Sequence, residues 1–228
     1  MAFYPVFLNL SETVCLVVGG GTVAERKVDS LLQAGGNISL VSPELTLHLQ
    51  ALGIEGRITV CQRSYQPDDL AGVALVIAAT DDTTLQQHVA ADAKRVGVLC
   101  NIVDQPALCS FIVPAVIKQG DLAIAVSTSG ASPALAKRIC RDLAEQFGPE
   151  YALALQLLGR IRERIIREKR TVEERQRLFT GLAESALLDY LRERRADKVN
   201  ALLQQTLGAT YTLESLDFSL NFSRDFSF

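Results

Sequence analysis

Three short stretches of this chain hold residues whose types and spacing could do chemistry. The first, "VVGGGTVAERK" (Val17–Lys27), sets Gly19, Gly21 and Ala24 in a G-x-G-x-x-A spacing between an apolar run and a helical pattern. Glycine permits positive φ in such a turn and lets a pyrophosphate approach the backbone, and a small third residue lets helix and strand pack closely. The N–H groups opening the helix, at Thr22 and Val23, would then face the anion. The second stretch, "CNIVDQP", ends another apolar run in Asp104. A carboxylate there can take up a proton or simply cap the next turn, and residue type alone leaves both readings open. The third, "STSGASP" (Ser127–Pro133), offers the hydroxyls of Ser127, Thr128, Ser129 and Ser132 and the amides around Gly130 ahead of a proline at a helix start. That is a second anion site or a plain N-cap by Ser132.

Further residues sharpen the first reading. The end of the second predicted strand carries "SPE", Ser42, Pro43 and Glu44, where Glu44 or the Ser42 hydroxyl would meet a ribose 2′-OH. No arginine sits beside them for a 2′-phosphate, so NAD is favoured over NADP. The fourth strand ends in "ATDD", whose Thr80 to Asp82 are expected to cap the next helix, with a cofactor contact from the same loop as an additional reading. Arg26 and Lys27 place cations early in a helix, against its dipole, and a nearby polyanion would offset that cost of some tenths of a kcal/mol. Singly, each of Arg26, Lys27, Lys137 and Arg138 reads equally as solvated surface charge. The two histidines, His48 and His88, fall on predicted helix surfaces and make poor catalytic bases.

These residues need a scaffold, and the elements around them supply one. Apolar, β-branched runs at Val14–Val18, Ile38–Val41, Ile58–Cys61, Ala74–Ala79 and Gly97–Val103 alternate with helical patterns, which predicts an α/β fold with a parallel sheet buried on both faces. One helix face is expected from Val23, Val28, Leu31, Leu32 and Ala34, another from Leu85, Val89, Ala90 and Ala93. "FIVPAVI" and "LAIAV" around "KQGD" predict an antiparallel hairpin with Pro114 at its edge, followed by helices. The arginine-rich run from Arg160 to Arg177 reads as solvated helix faces, with Thr171 and Glu174 as a capping box. From Leu216 to Phe228, apolar and polar residues alternate with period two, which fits a disordered tail and an added edge strand equally well.

Composition bounds the rest. With 228 residues, 48% of them apolar, the chain buries a sizeable core. A formal charge of −3 argues against general nucleic-acid binding, and no apolar run reaches the length of a membrane span. No signal peptide is evident, and the five cysteines form no CxxC pair, so buried thiols in a reducing cytoplasm are expected rather than disulfides or metal ligands.

Taken together, "VVGGGTVAERK", "AATDD", "NIVDQP", "SFIVPA" and "STSGASPALAKRI" resemble, in order and spacing, the precorrin-2 dehydrogenase and sirohydrochlorin ferrochelatase module of sirohaem synthase. The resemblance covers Phe3 to Arg141 strongly and the helical remainder weakly. It implies a Rossmann-like NAD-binding domain at 1–112, a dimerisation hairpin and helix at 113–147, a helical domain at 148–209 and the alternating tail at 210–228. It also implies oxidation of precorrin-2 to sirohydrochlorin by NAD in a homodimer, with Asp104 as the essential aspartate, and in bifunctional members insertion of Fe²⁺, or Co²⁺, as a substrate. Cofactor contacts are expected at Gly19, Gly21, Thr22, Val23, Ala24, Ser42, Pro43, Glu44, Thr80, Asn101 and Val103. Tetrapyrrole contacts are expected at Arg26, Lys27, Ser127, Thr128, Ser129, Gly130, Ser132 and Lys137, with no resident metal. Thr128 stands where such proteins are expected to carry serine, and no methyltransferase domain follows, so methylation of the precursor is expected from another protein. The alternative from the residues alone is a non-enzymatic NAD-sensing module.

Overall fold

A computed structural model describes residues 3–220 of the chain, which divides into two compact units, Met1–Val113 and Pro114–Phe228. The first unit holds five strands in the order β3-β2-β1-β4-β5, all parallel. Strand β1 (Val14–Val18) leads into α1 (Thr22–Gln33), β2 (Asn37–Val41) into α2 (Leu47–Ile54), and β3 (Thr59–Cys61) closes one edge. After a 3-10 turn at Pro67–Leu70 come β4 (Val73–Ala78), α3 (Thr83–Val96) and β5 (Leu99–Ile102).

The period of two along each strand decides which side chain meets which helix layer. Val17, Leu40 and Ile77 turn to one face and pack with Ala24, Val28 and Leu49 of α1 and α2. Leu16, Val18, Val76 and Ala78 turn to the other and pack with Val89 and Ala93 of α3. Each fully buried aliphatic side chain contributes roughly 1.5–3 kcal/mol, so a sheet covered on both faces needs the near-continuous apolar runs that mark these strands. Chain order reverses at β1, whose neighbours are β2 and β4. Open α/β sheets form their crevice at such a switch point, outside the carboxyl ends of the strands.

Two helix faces differ from expectation. Val23 is 41% exposed, while Ala24, Val28 and Leu31 form the buried stripe of α1. In α3 the fully buried positions are Val89, Ala93 and a polar residue, Gln86, while Leu85 and Ala90 pack partly buried against the same core.

The second unit opens with the antiparallel pair β6 (Ala115–Gln119) and β7 (Leu122–Val126). They are joined by Gly120 and Asp121, and a φ of 59° at Gly120 suits a two-residue hairpin turn with glycine first. Pro114 sits just before β6, where its missing N–H breaks no ladder. Helices α4 (Pro133–Gln146), α5 (Glu150–Arg167), α6 (Val172–Ala183), α7 (Leu187–Arg192) and α8 (Ala196–Leu207) follow. The stripe Leu153, Leu157, Ile161 and Ile165 buries one face of α5 against Leu182, Leu191, Val199 and Leu203. Thr171 and Glu174 form the expected reciprocal capping box of α6.

Two corrections concern the end of the chain. Arg164 and Arg170 are not merely solvated: their guanidinium carbons lie 4.1 Å and 5.7 Å from the Tyr211 ring centroid, and they donate to the carbonyls of Thr210, beyond α8, and Leu207, at its end. Residues 211–220 form neither an edge strand nor a loose tail. Tyr211, Leu213 and Leu216 are buried in the helical core, and Phe218 and Leu220 pack against it beyond a 3-10 turn at Glu214–Leu216. A turn with Asp217 left-handed brings these alternating residues to one side. Phe222, Phe226 and Phe228 lie outside the described residues.

Candidate functional site

A crevice of about 740 Å³ opens at the carboxyl edge of the parallel sheet, the size of a small-ligand or cofactor site. Its lining comes from the ends of β1, β2, β4 and β5 and from the loop after β3, all in the first unit.

The glycine loop forms the floor. Gly19 has φ +118°, and a Cβ there would collide with the Ala79 carbonyl where β4 ends, so only glycine fits. Gly20 is as constrained, because a Cβ would strike the Glu44 carbonyl, and its own carbonyl accepts from Thr46 N at 3.0 Å. This stitches the glycine loop to the loop after β2. Gly21 differs from both: its backbone is extended, and nothing lies within 4 Å of where a Cβ would stand. The space it leaves open is on the crevice wall.

Helix α1 then starts without a side-chain cap, whereas Thr46, Asp82 and Ser132 cap α2, α3 and α4. An uncapped helix start beside an open glycine leaves amides directed at a ligand, as a dinucleotide pyrophosphate requires. The residues present therefore fit NAD. Thr22 and Val23 line the crevice, and Ala24 is fully buried behind them.

The loop after β2 supplies the adjoining wall. The buried Ser42 hydroxyl donates to the Glu44 carbonyl at 2.7 Å, which shapes the loop, while Pro43 and Glu44 are exposed in the crevice. After β4, Thr80 Oγ1 accepts from Asp82 N at 3.3 Å, and the Asp82 carboxylate caps α3 through Thr84 N and Leu85 N.

Asp104 follows β5. Val103 N donates to Ala78 O at 3.0 Å, prolonging the sheet, and Gln105 N donates to Ile102 O at 3.2 Å, closing a turn with Asp104 third. Asp104 is left-handed, with φ +60°, a conformation uncommon outside glycine, asparagine and aspartate. The 3-10 turn at Pro106–Leu108 begins at Gln105 without a side-chain cap, so capping does not occupy Asp104. The residue lies exposed and lines the same crevice as Gly19 and Gly21.

The other expected residues are placed differently. Asn101 is 9% exposed, and its amide donates to Phe111 O at 3.0 Å within the fold, away from the crevice walls. Arg26 is exposed and Lys27 half-buried on α1; among the described residues no carboxylate pairs with either, and the Ser30 hydroxyl donates to their carbonyls. In the second unit, Ser127 Oγ accepts from Ser129 N, Thr128 Oγ1 from Ser132 N, and Ser132 Oγ from Leu135 N at the head of α4. Gly130 follows a left-handed Ser129. Lys137 is exposed, and Arg138 lies 3.8 Å from Asp142 one turn on.

Sequence reasoning passed over Gly20, Tyr65 and Gln86, all on the crevice wall. A run of three glycines signalled Gly20. For Gln86 the signal was a polar residue one turn before Val89 on the buried stripe.

Fold and crevice define the first unit as a dinucleotide-binding α/β domain. Residues 6–115 match the family described as "Putative NAD(P)-binding", and residues 119–146 match "Sirohaem biosynthesis protein central". The siroheme synthase of Nitrosococcus oceani is 39% identical over 199 residues, covering 82% of this chain and 42% of that protein. Those of Thioalkalivibrio sulfidiphilus and Ectopseudomonas mendocina are 38% and 36% identical, each over 91% of this chain and 42% and 44% of the relative. The chain thus spans less than half the length of these relatives. The solved structure of SirC, a precorrin-2 dehydrogenase, superposes with a TM-score of 0.74 at 29% identity, covering 90% of this chain and 98% of its own. Over the matched residues the chain is similar to siroheme synthases, and in fold to a precorrin-2 dehydrogenase, in line with the resemblance of its motifs.

Proposed function

We propose that this chain oxidises precorrin-2 to sirohydrochlorin with NAD. The observation that carries this reading is the left-handed Asp104, free of any capping role, lining one crevice with the open Gly21 and the uncapped start of α1. Bound NAD supplies the acceptor for the hydride. The chain's own part is to grip the pyrophosphate with the amides of Thr22 and Val23, to meet the ribose hydroxyls at Ser42 and Glu44, and to take up the proton that leaves the substrate. Asp104 is the group for that last role, and a positioned general base contributes about 10²–10⁴-fold. NAD is preferred because the loop after β2 presents the Glu44 carboxylate, which would repel a 2′-phosphate.

Fe²⁺ insertion is the further activity of this reading, with iron as substrate. Metal entry expels pyrrole protons, and Asp104 would accept these as well. The carboxylates of the tetrapyrrole would meet Arg26, Lys27 and Lys137 and the hydroxyls of Ser127, Thr128, Ser129 and Ser132. A homodimer would cover the apolar surface of the second unit, where Val116 and Leu135 are 45% and 48% exposed.

The test is anaerobic incubation with precorrin-2 and NAD, followed in the visible spectrum, before and after Fe²⁺ or Co²⁺ is added. Asp104→Asn should lower turnover by about 10²–10⁴-fold while NAD affinity stays within about twofold. Full turnover by that variant would remove Asp104 from the mechanism. Tight NAD binding by the unaltered protein without any oxidation would return the chain to an NAD-sensing role.

A further inference from the structure

Aspartate adopts the left-handed conformation of Asp104 less readily than the glycine or asparagine favoured at the third position of such a turn, so contacts that hold the turn bear on the carboxylate. Two side chains outside the expected site touch the backbone on either side of it. Cys109 folds back beneath the turn: Ile102 N donates to its sulfur at 3.2 Å, and the sulfur lies 3.3 Å from Ile102 O and 3.4 Å from Gln105 O. One thiol proton serves those two carbonyls by turns, so a single side chain engages both ends of the Ile102–Gln105 turn.

Gln86 acts from the other side. It is only 6% exposed on α3, and its Nε2 donates to Thr80 O at 2.6 Å, with Val103 O further off at 3.5 Å. Its Oε1 is buried without a partner among the described residues. Reversing the amide would set Oε1 against two carbonyls, so chemistry fixes its orientation. A buried amide with an orphaned oxygen is costly, and an apolar side chain of the same length would fill the space without that cost. What the amide adds is a bridge between the Thr80 loop and the residue just before Asp104.

We propose that Gln86 and Cys109 are positioning residues that hold the Ile102–Gln105 turn left-handed and so present the Asp104 carboxylate to the crevice. The catalytic consequence rests on the function proposed above; the brace itself does not.

The experiment pairs two readouts on Gln86→Met, Cys109→Ala and Cys109→Ser. Hydrogen exchange at the Gln105 amide should quicken at least about tenfold in Gln86→Met and Cys109→Ala, without a matching change in exchange across β1 and β4. Cys109→Ser keeps a donor and an acceptor and should restore protection. Because small misplacements of a reacting group cost up to about 10²-fold, kcat for precorrin-2 oxidation should fall about ten- to a hundredfold in the two disruptive variants, with NAD affinity unchanged in Cys109→Ala, whose side chain is outside the crevice lining. Unaltered Gln105 exchange in both would overturn the brace, whatever the activity. Faster exchange with full kcat would overturn the positioning role. An unaltered protein that oxidises nothing would instead refute the proposed function, and the exchange data would still judge the brace.

Discussion

The chain contains two loops of small residues that each run into a helix, Gly19–Thr22 before α1 and Ser127–Pro133 before α4, and they differ in where their amide protons go. In the second loop three amides are already used, as is one in the first turn of α4: Ser129 N and Ser132 N bond to Ser127 and Thr128 hydroxyls, Ala131 N to the Thr128 carbonyl at 2.9 Å, and Leu135 N to the Ser132 hydroxyl. In the first loop no side chain caps the helix, and Gly21 opens onto the crevice. Both stretches read as anion sites from composition, because hydroxyls and glycines are common to caps and to cradles. The difference is that a hydroxyl competes with the ligand for the helix amides and a glycine does not. An anion at the second loop would therefore meet hydroxyls and the cations of α4, whereas one at the first would meet backbone.

The largest expected effect breaks the first loop. Gly19→Ala places a methyl group against the Ala79 carbonyl in a backbone with φ +118°. Strain and collision together should cost about 2–4 kcal/mol of stability, read from chemical denaturation, and NAD binding by calorimetry should fall below detection. A variant that retained both would show that the close approach of β4 does not shape the cradle.

The contrasting change in the second loop should be smaller and of another kind. Ser132→Ala removes the α4 cap and should cost about 1 kcal/mol in denaturation while NAD affinity stays unchanged. Loss of NAD affinity in this variant would mean that the two loops are not independent.

How much of this was legible in the sequence follows from the range of each interaction. The strands, the hairpin and the caps at Asp82, Ser132 and Thr171 were legible, because side-chain period and capping chemistry act within a few residues. Asn101 was not, since its amide is taken up by Phe111, ten residues on in a loop whose path no local pattern specifies. Gln86 and Cys109 were illegible because their partners are backbone carbonyls, in another loop for Gln86 and in the preceding strand end and turn for Cys109, and any residue type supplies a carbonyl. The alternation at Leu216, Phe218 and Leu220 misled because a left-handed Asp217 turns a period of two into one packed side. Within the crevice, the glycine spacing predicted the floor, and the side-chain contacts of Gln86 and Cys109 with the turn around Asp104 had no signature.

The smallest expected effect concerns how the uncapped α1 is held from outside. His48 on α2 and Asp29 on α1 meet at 3.0 Å, and the hydrogen bond to the carboxylate raises the histidine pKa above its ordinary value. A folded-state pKa lifted above the unfolded value means that the protonated form prefers the folded chain. Its contribution is therefore complete below about pH 6.5, the unfolded value, and is lost as pH rises through the folded one. Both partners are near half exposed, so added salt should weaken the pair. In Asp29→Asn the His48 titration, followed by NMR, should move to lower pH, and the slope of stability against pH above 6 should flatten. An unmoved midpoint would show that the pair does not tether α1, leaving the buried stripe of Ala24, Val28 and Leu31 to hold the helix whose amides face the crevice.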